Sequence, residues 1–410
     1  MKHLALFLTF WVPMVVADEV EVLHYWTSGG EAKSVAFLQA RLADAGVNWK
    51  DFAVAGGGGE NATTVLKSRA ISGNPPGAAQ LKGPSIAEWG ELGFLADIDD
   101  VAAAGEWDAL LPSVVADAMR YEGRYVAAPV NVHRVNWLWA NAKVFEAAGA
   151  RLPIDWDDFF VQAGKLQAAG FIPLAHGGQA WQDATLFETV ALGVGGAGYY
   201  QRAFVELDEA ALNSETTLKV FDVFGQIRPL IDSNASGRDW NLATNMVIQG
   251  EAGMQLMGDW AKGEFSVAGQ QPGLDYLCAP APGTNGAFSF NVDSFAFFVQ
   301  SDPAAQNAQK TMAREILSPE FQEVFNRSKG SIPARLDMPS ASFDACAQAS
   351  MKDFANAADA GTLVPSFAHG MAVSEAVSGA IFDVATNFFN SSATPEQGVA
   401  ELVSAIRASR

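Results

Sequence analysis

Apolar and polar positions alternate from the start of the segment Glu19-Val-Glu-Val-Leu-His-Tyr-Trp26, with Val20, Val22, His24 and Trp26 on one side and Glu21, Leu23 and Tyr25 on the other. That period of two predicts a strand. A glycine-containing loop, Thr27-Ser-Gly-Gly-Glu31, follows, and Val35, Leu38 and Leu42 then recur at helical spacing to about residue 45. Strand, loop and helix make the opening unit of an α/β sheet. The same reading predicts a strand over 47–54, a turn at 56–59, a helix over 61–72, a short strand over 78–81 and a helix over 84–91. Residues 125–131, with Pro129 among them, read as an extended crossover, and 135–139 as the strand after it. Helical patterns run from 178 to about 250; in Leu218, Phe221, Phe224 and Ile227 they show a core face. Strands are expected over 253–257 and, as one continuous run, over 288–300, separated by a Pro/Gly-rich stretch at 272–286. Ser318-Pro319 is a cap followed by proline, Gly330 a stop, and the chain beyond about 340 reads as helical.

At 410 residues and 49% hydrophobic, the chain has apolar material for two cores, yet it shows no internal repeat and no linker that would separate two beads. Two lobes sharing several chain crossings satisfy both observations, and the cleft between them is the default place for a ligand. A formal charge of −20 repels phosphate backbones and anionic lipid, which argues against nucleic-acid and membrane-surface roles. With two Cys and five His, the chain lacks ligands for zinc clusters or iron–sulfur centres, and no metal or cofactor is expected.

The first segment bears on the compartment. Met1-Lys2, an apolar run over 4–16 and Val15-Val16-Ala17 before Asp18 predict a secretory signal peptide at 1–17, too short to span a bilayer. The mature chain is expected to be soluble in a bacterial periplasm, where Cys278 and Cys346, the only cysteines, should form a bridge.

Several local signals have a structural and a chemical reading. Gly193-Val-Gly-Gly-Ala-Gly198 matches a dinucleotide fingerprint, but a helical pattern rather than a strand precedes it. Gly56 to Gly59 lacks the ending of a phosphate loop, so its glycines serve close backbone approach. Tyr25-Trp26 ends the first strand and offers either a stacking platform or core rings. Ser28-Gly-Gly-Glu31 is a capping box, and Glu31 can also face a ligand. Asp259, Trp260, Lys262 and Glu264 follow a short apolar strand; Asn291 and Asp293 lie two apart on an expected strand, hence on one face. On their own, His133, His369, Lys82 and Lys329 read as packing histidines and surface lysines.

Taken in order, His24-Tyr-Trp-Thr-Ser-Gly-Gly-Glu31, Ser72-Gly-Asn-Pro-Pro-Gly77, Ala128-Pro-Val-Asn-Val-His-Arg-Val-Asn136, Ala175-His-Gly-Gly-Gln179, Gly237-Arg-Asp-Trp-Asn-Leu-Ala243, Leu256-Met-Gly-Asp-Trp-Ala-Lys-Gly-Glu264, Phe290-Asn-Val-Asp-Ser-Phe295 and Lys329-Gly-Ser-Ile-Pro333 resemble the glucose-binding proteins of bacterial ABC sugar importers, members of the extracellular solute-binding protein family. The resemblance implies a two-lobed α/β periplasmic binding protein fold. On that reading residues 18–128 and 299–335 form the first lobe, and 129–298 and 336–410 the second. It implies sugar contacts from Tyr25, Trp26, Glu31, Lys82, Trp260, Asn291, Asp293, Lys329 and His369. The family usually has Trp-Trp where this chain has Tyr25-Trp26, which leaves the preferred hexose open. The expected function is capture of a monosaccharide, glucose before mannose or galactose, by a monomer that delivers it to ABC permease subunits; the chain is not expected to be an enzyme. Alternatives are the same role for a disaccharide, sugar acid or polyol, and a secreted glycoside hydrolase using a pair among Glu31, Asp259 and Asp293.

Overall fold

In the first strand Val20 and Val22 are buried as the alternation requires, but Leu23 and His24 are buried too, because the sheet they join is covered on both faces. The computed structural model describes residues 18–410; the expected signal peptide at 1–17 lies outside them. The strands are β1 (Asp18–His24), β2 (Val47–Ala53), β3 (Ala78–Leu81), β4 (Arg120–Tyr121), β5 (Arg124–Tyr125), β6 (Ala127–Pro129), β7 (His133–Arg134), β8 (Trp137–Asn141), β9 (Ile172–Leu174), β10 (Ala252–Leu256), β11 (Tyr276–Pro280), β12 (Phe288–Asn291), β13 (Ser294–Phe297) and β14 (Leu363–Pro365). The first lobe is built on a sheet in the order β2-β1-β3-β13-β6, the second on β11-β8-β10-β9, and a small third sheet, β14-β12-β7, lies where the chain passes between them. Hairpin β4-β5 stands apart.

Each lobe has its own apolar core. Val22, Leu38, Leu42, Phe295, Phe297, Ile316 and Phe321 fill the first. The second holds Phe159, Phe187, Phe204, Phe221, Phe224, Phe367 and Phe388, with Phe221, Phe224 and Ile227 on the face that their spacing predicts. A third cluster, rich in indoles (Trp137, Trp139, Trp181, Trp240, Trp260), sits on the cleft side of the second lobe.

Three expectations need correction. The run over 288–300 is two strands: β12 pairs with β7 and β14, the chain breaks at Val292-Asp293, and β13 pairs with β3 and β6. A lobe boundary at 298/299 therefore comes too late, since β13 already hydrogen-bonds within the first sheet. The region beyond 340 is not wholly helical, because β14 adds to β12 in parallel. The glycine-rich fingerprint at 193–198 lies within the helix Ala180–Tyr200, broken only at Gly196 with φ 73°, so no strand presents it to a nucleotide. Cys278 in β11 and Cys346 in the helix Ala345–Ala360 are joined by a disulfide.

Candidate functional site

The cleft residues come mostly from the ends of elements, where side chains are free of the ladder. Tyr25 and Trp26 follow β1, Lys82 follows β3, Asn291 ends β12, and Asp293 occupies the break before β13. Glu31 lies in the first turn of the helix Gly29–Asp44, and Lys329 ends the helix Pro319–Lys329. Trp260 precedes the helix Ala261–Val267, and His369 lies in the loop after β14. All nine line a single narrow slot of about 20 Å³, together with Gly57, His133, Trp181 and Trp240. Asn291 and Asp293 do share it, though they are brought there by a change of sheet and not by strand alternation.

Asp293 is the hub. Its Oδ1 meets Lys82 Nζ at 3.2 Å and accepts from Gln80 Nε2 at 3.4 Å; its Oδ2 accepts from His133 Nε2 at 2.9 Å and Asn131 Nδ2 at 3.2 Å. The other nitrogen of His133 is hydrogen-bonded to Asp259, whose second oxygen accepts the Arg134 backbone N–H at 2.9 Å. Burial works against charging His133, but Asp259 and Asp293 outweigh it and hold its pKa above the ordinary value of 6.5. Burial likewise opposes the Asp293 carboxylate, and Lys82 and His133 reverse that, holding its pKa well below the usual range. His133, taken by sequence as a packing residue, thus braces one carboxylate from each side of the crossing.

Glu31 completes its expected cap and pairs with Lys329. Its Oε2 accepts the backbone N–H groups of Thr27 and Ser28, each at 3.2 Å, completing the capping box, while Oε1 takes Lys329 Nζ at 3.0 Å. Trp26 departs from an open platform: it is 2% exposed, packs edge-on against Phe295 at 5.5 Å and tilted against Phe325, and shows the slot only part of its ring.

The opposite wall is aromatic. The Trp260 ring stands against His133 at 5.3 Å and His369 at 4.8 Å, and Trp181 lies 6.0 Å from His369. Sequence reasoning missed Trp181 and Trp240 as lining residues, although Trp240 stands in one of the recognised strings. Gly57 belongs to the glycine run whose close backbone approach the sequence predicts. A Cβ at Gly57 would come 2.9 Å from Trp240 and 3.1 Å from Trp181, and one at Gly58 2.9 Å from Trp181, so only a bare backbone can lie on these indoles. On the floor, the Gly30 N–H donates to Glu264 Oε1 at 2.9 Å, and a Cβ at Gly30 would stand 2.9 Å from the Gly263 backbone. The two lobes are therefore closed on one another.

His369 is held neutral by burial first and by the positive charges of Lys82 and His133 next, its pKa lying well below 6.5. Thr185 spends its proton on the Trp181 carbonyl at 2.7 Å, so His369 Nε2 donates to the Thr185 oxygen at 3.0 Å and Nδ1 is left as an acceptor. The His369 loop is ordered from behind by Glu188, which accepts from Ser366 Oγ at 2.9 Å, the Ala368 N–H at 2.8 Å and Ser289 Oγ at 2.7 Å. Asn291 Oδ1 is buried with no protein partner, an acceptor waiting for a donor. Among the described residues no cluster of three or more His, Cys, Asp or Glu is arranged to hold a metal ion.

Comparison with known proteins agrees with this architecture. The family described as bacterial extracellular solute-binding protein matches residues 31–320. A chain from Brucella melitensis biotype 1, named "Probable sugar-binding periplasmic protein", is 47% identical over 401 residues, covering 97% of this chain and 95% of its own length. One of the same name from Rhizobium meliloti is 47% identical over 394 residues, covering 96% and 95%. Among solved structures, a chitin oligosaccharide binding protein superposes with a TM-score of 0.82 at 17% identity, covering 96% of this chain and 99% of that one, a likeness of fold.

Proposed function

Since the chain belongs to the bacterial extracellular solute-binding proteins, a family of binding proteins and not of enzymes, we propose that it is a periplasmic sugar receptor that seats one aldohexose ring in the slot and delivers it to an ABC importer. Glucose comes first among the hexoses, mannose and galactose next. The observation that carries this reading is the pairing of a wall of fixed charges with a wall of indoles around one narrow slot between the lobes. A sugar ring has apolar C–H faces and a rim of hydroxyls, and each hydroxyl left unpaired in a dry cleft costs about 1–3 kcal/mol. Asn291 Oδ1 and His369 Nδ1 can accept from hydroxyls, and the ammonium groups of Lys82 and Lys329 can donate to them.

Closure follows from the same geometry. Ligand bound to the open form gains Trp181, Trp240 and the Gly57 backbone together only when the lobes meet, so it favours the closed state, which a permease can read. A hydrolase needs one carboxyl with a raised pKa, whereas that of Asp293 is depressed and Asp259 is bound to His133. Calorimetric titration of the mature protein against hexoses, pentoses and disaccharides tests the proposal. Saturable one-to-one binding of an aldohexose, without turnover of aryl glycosides, is expected; absence of binding by every sugar would overturn it.

A further inference from the structure

The helix Ala180–Tyr200 is buried on all sides from Trp181 to Leu192, and two acids lie in that stretch. Asp183 pairs with His176 at 2.9 Å. Glu188, 1% exposed, meets only neutral donors: Oε1 accepts from Ser289 Oγ, and Oε2 from Ser366 Oγ and the Ala368 N–H. Burial raises its pKa above the ordinary carboxyl value. A carboxyl group placed in a core without a cation costs stability, and an apolar side chain of similar size serves packing better. What the acid supplies instead is direction, because it fixes where each of its three donors must point.

Those donors belong to two segments of the small third sheet, and both segments lead into the slot. Ser289 stands in β12 two residues before Asn291, hence on the same face of the strand. Ser366 and Ala368 follow β14 and lead to His369. While Ser366 Oγ donates to Glu188, it accepts the His369 N–H at 3.1 Å, so the acid reaches the His369 backbone through one hydroxyl. The Ser366 N–H donates to the Phe290 carbonyl at 2.9 Å and ties the two segments together. The same helix grips the loop twice more: Thr185 takes the His369 ring at 3.0 Å, and Tyr200 Oη donates to the Pro365 carbonyl at 3.0 Å and accepts the Phe367 N–H at 3.1 Å. Resting on the reading of the slot as a hexose site, we propose that Glu188 is a specificity-determining positioning residue: without touching the sugar, it sets the places of His369 Nδ1 and Asn291 Oδ1, the two acceptors that read sugar hydroxyls.

Discrimination between sugars separates positioning from mere support of the fold. The mature protein and its Glu188→Ala, Glu188→Gln, Ser366→Ala and His369→Ala variants are titrated with glucose and its monodeoxy derivatives, melting temperatures serving as the control for folding. For the parent, the derivative lacking a hydroxyl that either acceptor reads should bind about 10-fold or more weakly than glucose. Glu188→Ala should shrink that penalty to about 3-fold or less, as His369→Ala should for its own hydroxyl, because an acceptor out of place no longer rewards the group. Glutamine can keep its carbonyl toward the Ala368 N–H and turn its amide to Ser289, whose hydroxyl can rotate to accept, so Glu188→Gln should retain the penalty. A loss of affinity in Glu188→Ala that is equal for glucose and every deoxy sugar marks a residue of the fold alone and overturns the proposal. Should Glu188→Ala not fold, Ser366→Ala decides, since it cuts the link to the His369 N–H and leaves the Ala368 N–H on the acid. Unchanged penalties there overturn the proposal too, while the hexose reading stands. If the parent binds no sugar at all, the hexose reading itself falls and takes the role of Glu188 with it.

Discussion

The first lobe meets the slot with charges whose counter-charges are already in place, while the second meets it with rings. Lys329 rests on Glu31, and Lys82 on Asp293, before any ligand arrives. Trp181, Trp240 and Trp260 offer area and few hydrogen-bonding atoms. A charged wall discriminates, because a hydroxyl out of place leaves a buried group unpaired, whereas an indole wall tolerates changes in hydroxyl orientation and supplies contact. Choice of sugar should therefore be set by the charged wall, and affinity shared with the aromatic one.

The largest effect should come from breaking the charged wall at its hub. Asp293→Ala leaves Lys82 without its carboxylate and His133 with Asp259 alone, a loss of about 3–5 kcal/mol for a buried pair. We expect at least a 100-fold loss of sugar affinity and a lower melting temperature, while Asp293→Asn does less of both. Calorimetry that finds Asp293→Ala binding normally would remove the charged wall from the comparison.

The two walls also contain tryptophans of different standing, and a paired substitution sharpens the contrast. Trp26 is wedged between Phe295 and Phe325, so Trp26→Ala should cost about 3–5 kcal/mol of stability, seen as a fall in the ligand-free melting temperature. Trp260→Ala should cost less in stability and about 1–3 kcal/mol in binding by analogy with stacking on bases, roughly 5- to 150-fold. Equal damage to fold and binding by both changes would mean that the second wall is structural as well.

A smaller effect is expected with pH, and here two histidines act in opposite senses. The folded pKa of His369 lies below 6.5, so as pH falls through 6.5 the unfolded chain takes up a proton that the folded one resists, and stability drops. The folded pKa of His133 lies above 6.5, so its ion pairs are fully formed below 6.5 and fade as pH rises through the folded value. The ligand-free melting temperature should be highest near neutrality, and His369→Gln should flatten only the acid side of that curve.

What was legible in sequence divides along the same line. β1, the helix cap at Ser28 and the helices were readable because periodicity and caps are local, and the charged residues were recognised as strings. Local pattern alone left Glu31 even between cap and ligand, and placed His133 with packing residues. The break at Asp293 was missed because Phe288, Phe290 and Val292 alternate with polar residues as in one strand and Phe295 to Phe298 carry the apolar run on; only the partners of each half, β7 and β14 for one and β3 and β6 for the other, separate them. Trp181 and Trp240 gave no sign of facing the cleft, since nothing near them in sequence says that Gly57 lies against them.

β13 sits inside the first sheet, between β3 and β6, yet it is made long after either; Ser294 Oγ bonds the Leu81 carbonyl at 2.6 Å across 213 residues. The first lobe therefore cannot finish its sheet while only its own early sequence has left the ribosome. The helices Pro303–Ile316 and Pro319–Lys329, which help to fill its core, come later still. Closing so long a loop is slow. Strand order thus makes the first lobe the last to be completed, although its sequence is the first to be made.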